Sequence, residues 1–303
     1  MAQKKGSIAI PFLLTFLISL IIIGGGALYV YNNIMNNKGD TTTASEVSAD
    51  EYVPAEDMRC TTLFILDLDD PGMSVDVTMM LVRAIPDQQH FVCVPIATNM
   101  VATVGEKKAT VGEFYQSGGA ISAREAISGT LGIPIDRYMK MNDNAFQKIC
   151  SIFGGVNYTI SAGMQGFSEG QQYLTSEQIQ KLLTYPFYEA GEEQRMSSAS
   201  SLITAMINQS SGSRIAETLD STFNTLVNIT ETDMTAIDFS KYQKSIKYIF
   251  TSTKEPAQFR NPTGDWTTAR FAVGDEFTES LQVWFGYKSD DQSIVYDDES
   301  TAQ

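Results

Sequence analysis

The chain has 303 residues, of which 43% are hydrophobic and 19% are charged. This composition is typical of a protein with a packed core and argues against wholesale disorder. The formal net charge of −15 argues against binding to nucleic acid or to an anionic lipid surface, because both repel an acidic protein.

The first predicted element is a long apolar segment near the N-terminus. Lys4 and Lys5 precede a charge-free, predominantly apolar run from Ile8 to Val30. The run is long enough to span a bilayer as a helix, and no small-x-small cleavage site of a signal peptide follows it. We therefore predict a transmembrane helix over residues 8–31. Because basic residues are retained inside, residues 1–7 are predicted to be a short cytoplasmic N-terminus.

Everything after this helix is then predicted to lie outside the cell membrane. Residues 32–57 are polar and poor in large apolar side chains, as expected of an extracytoplasmic linker. A folded domain is predicted over residues 58–288. The remaining residues, 289–303, are predicted to form an acidic disordered tail.

A cluster of carboxylates opens the domain. The sequence "LDLDDPG", residues 66–72, follows the apolar run Leu63–Leu66 and contains Asp67, Asp69 and Asp70. A buried strand that runs into acids and then Pro-Gly predicts a strand that ends in a loop. The carboxylates have two interpretations, a divalent-cation site and a solvated turn.

Strands and helices alternate along the rest of the domain. Strands are predicted at Thr62–Leu66, Thr78–Ile85 and Phe91–Ile96. The segment "NDNAFQKICSIFGG" has helical apolar spacing and ends at Gly154. "LTSEQIQKLL" opens with a capping box, the pair Thr175 and Gln178.

A third helix is predicted over Gln194–Gln209. It is expected to bury the apolar residues of one face, which are Met196, Ala199, Ile203, Met206 and Ile207. Early strands followed by interleaved helices predict an α/β fold, a sheet covered by helices. The three cysteines, Cys60, Cys93 and Cys150, are an odd number for a disulfide framework and are predicted to be mostly buried thiols.

The order of these pieces resembles one family. "TMMLVRAIP", "VCVPIATNMV", "YQSGGAISAREAISGTLGIPIDRYMKMNDNAFQKICSIFGGVNYTI", "LTSEQIQKLLTY" and "QRMSSASSLITAMINQ" follow one another across residues 62–250. Together, behind one N-terminal anchor, they resemble the LytR-CpsA-Psr (LCP) family. The most specific pieces are the double glycine that opens a helix, the "LGIPIDRY" turn into a strand, the "FGGV" helix stop and the "LTSEQ" helix start.

This resemblance implies a three-layer domain with a mixed central sheet and helices on both faces. It implies an enzyme on the outer face of a Gram-positive type membrane, a phosphotransferase of cell-wall biogenesis. Such enzymes move a glycopolymer, of teichoic acid or capsule type, from a polyprenyl-pyrophosphate carrier to peptidoglycan. The implied localisation is the cell membrane, with a single pass and an extracytoplasmic domain.

The resemblance also implies a metal site. The family binds Mg²⁺, or Mn²⁺, through an Asp at the end of the first strand and another near the start of the second, and these correspond to Asp69 and Asp76. The second correspondence is uncertain by one residue. Thr98 keeps a family residue and is implied to help bind phosphate. The chemistry requires cations around the pyrophosphate, because they stabilise developing negative charge.

Most of the family's arginines are absent from this chain. The family places arginine or its partner residues where this chain has Pro71, Ile96, Ala97, Thr184, Pro186, Ser198 and Ala199. Arg195 alone corresponds to a family arginine, so it is the candidate catalytic and phosphate-binding cation, together with Asp69 and Asp76 as catalytic residues. Arg195 could instead serve the neighbouring acids Glu192 and Glu193.

Two other cations could substitute for the missing arginines. Arg83 on the second strand is a candidate phosphate-binding residue, and Lys107-Lys108 lie near a family lysine. The alternative for each is a solvated surface charge.

Two functional hypotheses follow. The first is a divergent transferase. The second is a catalytically degenerate member that binds or scaffolds in the cell envelope, beside a paralogous family member. A role in reading DNA is disfavoured, because about seven residues precede the predicted membrane helix and cannot fold into a DNA-binding module.

Overall fold

The structure is a computed structural model that describes residues 52–69, 72, 74, 76–160, 164, 166–267 and 269–288. The predicted cytoplasmic N-terminus, the transmembrane helix over 8–31, most of the linker and the acidic tail lie outside these residues. Among the residues that are described, no helix is both long enough and apolar enough to cross a bilayer.

The strands and helices alternate along the chain as the sequence predicted. The strands are β1 (Cys60–Asp67), β2 (Val77–Ile85), β3 (His90–Ile96), β4 (Val101–Val104), β5 (Lys107–Thr110), β6 (Arg137–Met141), β7 (Val156–Ile160), β8 (Gly170–Leu174), β9 (Glu231–Thr232), β10 (Ala257–Phe259), β11 (Gly264–Trp266) and β12 (Phe271–Val273). The helices are α1 (Val111–Leu131), α2 (Asp143–Phe153), α3 (Ser176–Leu183), α4 (Gly191–Gln209), α5 (Gly212–Ile229), α6 (Ala236–Ser252) and α7 (Asp275–Trp284).

A mixed six-stranded sheet forms the centre of the domain. Its strand order is β10-β3-β2-β1-β6-β9. Strand β1 pairs antiparallel with β2 and parallel with β6, and β3 pairs parallel with β10. Strands β1, β2 and β3 are buried on both faces, as expected for a sheet that helices cover on both sides.

Each face of the sheet carries its own hydrophobic core. One core contains side chains of α1 and α7, and the other contains side chains of α2 to α6. The mixed sheet with helices on both faces, implied by the family resemblance, is therefore confirmed.

Local sequence signals set the helix ends. Asn142 accepts a hydrogen bond from the amide of Ala145 at the start of α2, and Thr175 and Gln178 form the capping box of α3. The double glycine Gly118-Gly119 breaks α1 with non-helical dihedral angles, so that a second helical segment opens after it. Helix α4 begins three residues before the predicted start.

Gly154 ends α2 with a φ of 99°, a conformation that side chains with a Cβ branch avoid. We expect Gly154→Val to lower the free energy of unfolding by about 1–3 kcal/mol, because the strained backbone has no compensating contact. Urea unfolding followed by circular dichroism measures this difference.

Gly129→Ala is the matched control for this substitution. Gly129 lies inside α1, is exposed, and an added Cβ would meet only a carbonyl oxygen at 3.9 Å. Alanine there should leave stability unchanged or raise it slightly, because alanine favours the helix. If the Gly154→Val protein is as stable as the parent, a glycine is not required at this position to end α2.

Cys93 lies in the interior of the sheet, between β2 and β10, and its side chain is fully buried and free of disulfide bonds. Burial raises the pKa of the thiol to about 12, so thiolate is scarce at neutral pH. In a variant that keeps only this cysteine, a maleimide reagent should react only after denaturant is added. Rapid reaction in the native protein would contradict the strand order described above.

Candidate functional site

Several candidate residues meet at one edge of the sheet. In the strand register, Leu66 pairs with both Thr78 and Met141, and Met79 pairs with Ile96. The end of β1, the start of β2, the end of β3 and the end of β6 therefore share this edge. Three of the predicted site residues, Asp69, Asp76 and Thr98, follow or precede these strand ends; we call this region the carboxylate edge.

The two predicted metal ligands are held by backbone and side-chain hydrogen bonds. The amide of Asp69 donates to Asp143 Oδ2 at 2.9 Å, and Asn142 Nδ2 donates to Asp69 Oδ2 at 3.0 Å. The amide of Leu68 donates to the carbonyl oxygen of Asp76, whose Oδ1 accepts from the amide of Val77. Asp69 is thus tied to the start of α2, and Asp76 continues the pairing of β1 with β2.

Asp69 and Asp76 alone do not make a complete site for Mg²⁺. The described residues contain no group of three or more His, Cys, Asp or Glu side chains that could hold a metal ion. Mg²⁺ prefers six oxygen ligands in an octahedron and is commonly held by one or two carboxylates with substrate phosphates. The two aspartates would therefore need oxygens of a bound ligand to complete such a site.

Arg195 is buried and paired, with only 2% of its surface exposed. Its Nε and Nη2 donate to the two carboxylate oxygens of Glu192, both at 2.6 Å. Its Nη1 donates to Thr78 Oγ1 at 3.0 Å and to the carbonyl oxygen of Leu183 at 3.1 Å. Four of the five guanidinium hydrogens therefore have acceptors within the protein.

The early start of α4 explains this pairing. Since the helix begins at Gly191, Glu192 lies one turn before Arg195 on the same helix face. The bidentate contact neutralises the guanidinium charge. The sequence left open that Arg195 pairs with the neighbouring acids, and in the structure it does pair with one of them, Glu192.

The structure does not bring Arg83 to the carboxylate edge. Arg83 pairs with Thr61 near the opposite end of β1, about 17 Å along the strand from Thr78. Its guanidinium is buried and donates to Thr61 Oγ1, Tyr287 Oη and the carbonyl oxygen of Phe285. This arginine holds the segment after α7 against the sheet, so its predicted role in phosphate binding is corrected to a structural one.

Several positions where the resemblance implied arginines or their partner residues are filled by the core. Ile96 and Ala97 are at most 1% exposed, and Thr184 and Ala199 are 2% exposed. Arginine at such positions would bury a charge without a partner, at high cost. At these four positions the side chains are therefore part of the packed interior.

Sequence reasoning missed three residues beside this edge, Tyr115, Lys140 and Glu231. Tyr115 of α1 donates from its hydroxyl to Asp67 Oδ2 at 2.6 Å. Lys140 of β6 lies 3.3 Å from the same carboxylate oxygen and 3.4 Å from Glu231 Oε2. Burial, and then the bond to Asp67, raises the pKa of Tyr115. No sequence signal identifies Lys140, because its place opposite Ile65 depends on the register of β6 against β1.

A large apolar cavity lies between the sheet and helices α2 to α6. Its volume is about 320 Å³. Its walls include Phe64 and Met80 of the sheet, Ile203 of α4, Leu226 of α5 and Ile246 of α6. Thr78 and Leu183, the partners of Arg195, line the cavity as well, so the cavity reaches the carboxylate edge.

Comparison with protein families gives one match that covers most of the domain. Residues 72–273 match the model of the LytR_cpsA_psr family. A curated relative, the polyisoprenyl-teichoic acid–peptidoglycan teichoic acid transferase TagU of Halalkalibacterium halodurans, is 26% identical over 190 residues. The matched segment covers 57% of this chain and 60% of that protein.

Solved structures share the fold. A protein of Eubacterium siraeum described as a transcription regulator has a TM-score of 0.70 at 20% identity, over 83% of this chain and 100% of that one. Bacillus subtilis TagV has a TM-score of 0.59 at 16% identity, over 75% and 95% of the two chains. TagT bound to LIIa-WTA has a TM-score of 0.57 at 12% identity, over 75% and 89%.

Proposed function

The chain belongs to the LytR-CpsA-Psr family, and from this membership we propose that it binds a polyprenyl-linked glycopolymer during cell-wall assembly. The polymer is of teichoic acid or capsule type. The apolar cavity between the sheet and helices α2 to α6 is the observation that carries this proposal. A hydrocarbon chain inside it would gain the hydrophobic stabilisation of complete burial.

The proposed location is the outer face of the cell membrane. The predicted helix over residues 8–31 would anchor the chain with residues 1–7 in the cytoplasm. Residues 32–57 would then connect the anchor to the domain. A polyprenyl carrier has its apolar chain in the same bilayer, so an anchored domain would meet it at high effective concentration.

Transfer of the polymer from polyprenyl pyrophosphate to peptidoglycan is the activity that we propose on family grounds. In this reaction Asp69 and Asp76, with phosphate oxygens of the ligand, would hold Mg²⁺ or Mn²⁺. The metal would supply the positive charge that a phosphoryl centre requires. Thr98 and Arg195 would border the reacting group.

Binding without transfer is the second candidate function, and the pairing of Arg195 with Glu192 favours it. Removal of one preorganised charge from a catalytic site costs on the order of a hundredfold in rate. A site whose remaining family arginine is neutralised would keep the ligand and lose most of the chemistry. Such a protein would hold its ligand for a peptidoglycan-modifying partner or for a paralogous family member.

One assay of the full chain in detergent or nanodiscs distinguishes the two candidates. Polyprenyl-pyrophosphate-linked disaccharide and a peptidoglycan acceptor are supplied with and without Mg²⁺, and both binding and transfer are measured. The neutralised site predicts binding that Mg²⁺ changes little, and transfer no faster than in an Asp69→Asn/Asp76→Asn control. Mg²⁺-dependent transfer that this control abolishes would establish the transferase, and absence of binding would overturn both candidates.

A further inference from the structure

The far end of the apolar cavity carries the one charged pair of its described lining. Arg137, the first residue of β6, and Asp238, in the first turn of α6, both line the cavity. Arg137 Nε and Nη2 donate to the two carboxylate oxygens of Asp238 at 2.9 and 2.6 Å. All other lining side chains of the described residues are uncharged.

The pair is fixed on both sides. Arg137 Nη1 donates to the carbonyl oxygen of Asp136 at 2.8 Å. Asp238 Oδ2 accepts from the amide of Thr235 at 2.8 Å and from its hydroxyl at 2.7 Å. The guanidinium beside it holds the pKa of Asp238 well below its usual range. Both charges are therefore retained, in a fixed geometry, throughout the neutral pH range.

The strand register places this pair opposite the carboxylate edge. Cys60, Thr62, Phe64 and Leu66 of β1 line the cavity along the whole strand. Arg137 pairs with Thr62, near one end, whereas Thr78 pairs with Leu66 at the other end. The four residue steps from Leu66 to Thr62 span about 13 Å of extended strand, which is the length available to a chain that enters at the carboxylate edge.

We propose that the Arg137–Asp238 pair is the floor of the cavity and determines the length of the apolar chain that the protein accepts. This inference rests on the proposed binding of a polyprenyl chain. Hydrocarbon that reached the pair would remove its water, and to go further it would have to separate two charges that are joined by a bidentate contact. Chain beyond about 13 Å therefore gains no further burial.

The test measures the affinity of the full chain for a series of prenols, from geraniol to longer homologues. In the parent protein, affinity should rise with each isoprene unit and level off when the extended chain reaches about 13 Å. In Arg137→Met/Asp238→Leu the affinity should continue to rise for at least one more unit, by about tenfold. Apolar replacement of both partners of such a pair is often neutral for stability.

Arg124→Met/Asp233→Leu is the matched control. This pair, at 2.6 Å, also attaches the connection between α5 and α6 to the rest of the domain, but neither residue lines the cavity. The affinity of this control variant should depend on the length of the prenol in the same way as that of the parent.

Affinity that rises without levelling off in the parent would overturn the inference. The inference would also be overturned if Arg137→Met/Asp238→Leu bound short homologues with the parent's affinity and its affinity levelled off at the same chain length as in the parent. If the parent binds no prenol of any length, the proposed function itself fails, which is a distinct result.

Discussion

Leu226→Trp should weaken the binding of a polyprenyl chain about seventyfold. Leu226 projects from α5 into the cavity and is only partly buried, so a larger side chain can enter the empty space without displacing the core. An indole there would exclude about 100 Å² of ligand surface, worth about 2.5 kcal/mol of hydrophobic burial. Equilibrium binding of a fluorescent polyprenyl phosphate measures the effect.

Asn224→Trp is the matched control for this variant. Asn224 lies on the same helix, is exposed and does not line the cavity. The affinity of Asn224→Trp for the polyprenyl phosphate should therefore equal that of the parent. Equal affinities for the two variants would place the ligand outside the cavity.

The second large effect concerns stability. Arg195→Met should lower the free energy of unfolding by about 3–5 kcal/mol, because it leaves the buried partners Thr78 and Leu183 without their donor and Glu192 without its counter-charge. The midpoint of thermal unfolding should fall by roughly 10 °C for a domain of this size. Differential scanning calorimetry measures both quantities.

Arg214→Met is its control, because Arg214 is exposed and its side chain donates to the carbonyl oxygen of Phe153. A change within about 0.5 kcal/mol is expected there. Since Glu192 already neutralises Arg195, binding of inorganic pyrophosphate should be equally weak in the parent and in Arg195→Met. A stable Arg195→Met protein that loses pyrophosphate affinity would instead identify Arg195 as a ligand-binding residue.

The fold was largely predictable because its signals are local. Apolar runs located β1, β2 and β3 to within two residues at each end, and the capping box located the start of α3. The start of α4 was less predictable, because Ala190 makes no side-chain cap. Ile203 was predicted to be buried but is only partly buried, because it faces the apolar cavity. No local sequence pattern indicates such a cavity.

The site was less predictable because it depends on distant pairings. The sequence placed Asp69, Asp76 and Thr98 near strand ends, and the antiparallel pairing of β1, β2 and β3 brings those ends together. Arg83 was named as a candidate phosphate-binding residue because strand spacing alone does not show which end of β2 lies at the site. The cavity needs α5 and α6 to lie over the sheet, and this packing joins residues more than a hundred positions apart.

Photo-crosslinking tests the central claim, that the apolar cavity holds a polyprenyl chain, most directly. A polyprenyl phosphate with a diazirine at the end of its apolar chain is irradiated with the full chain in nanodiscs, and the modified peptides are identified by mass spectrometry. Modification of β1, α5 and α6 is expected, and Leu226→Trp should suppress it whereas Asn224→Trp should not. Modification confined to the protein surface, and unchanged in Leu226→Trp, would contradict it.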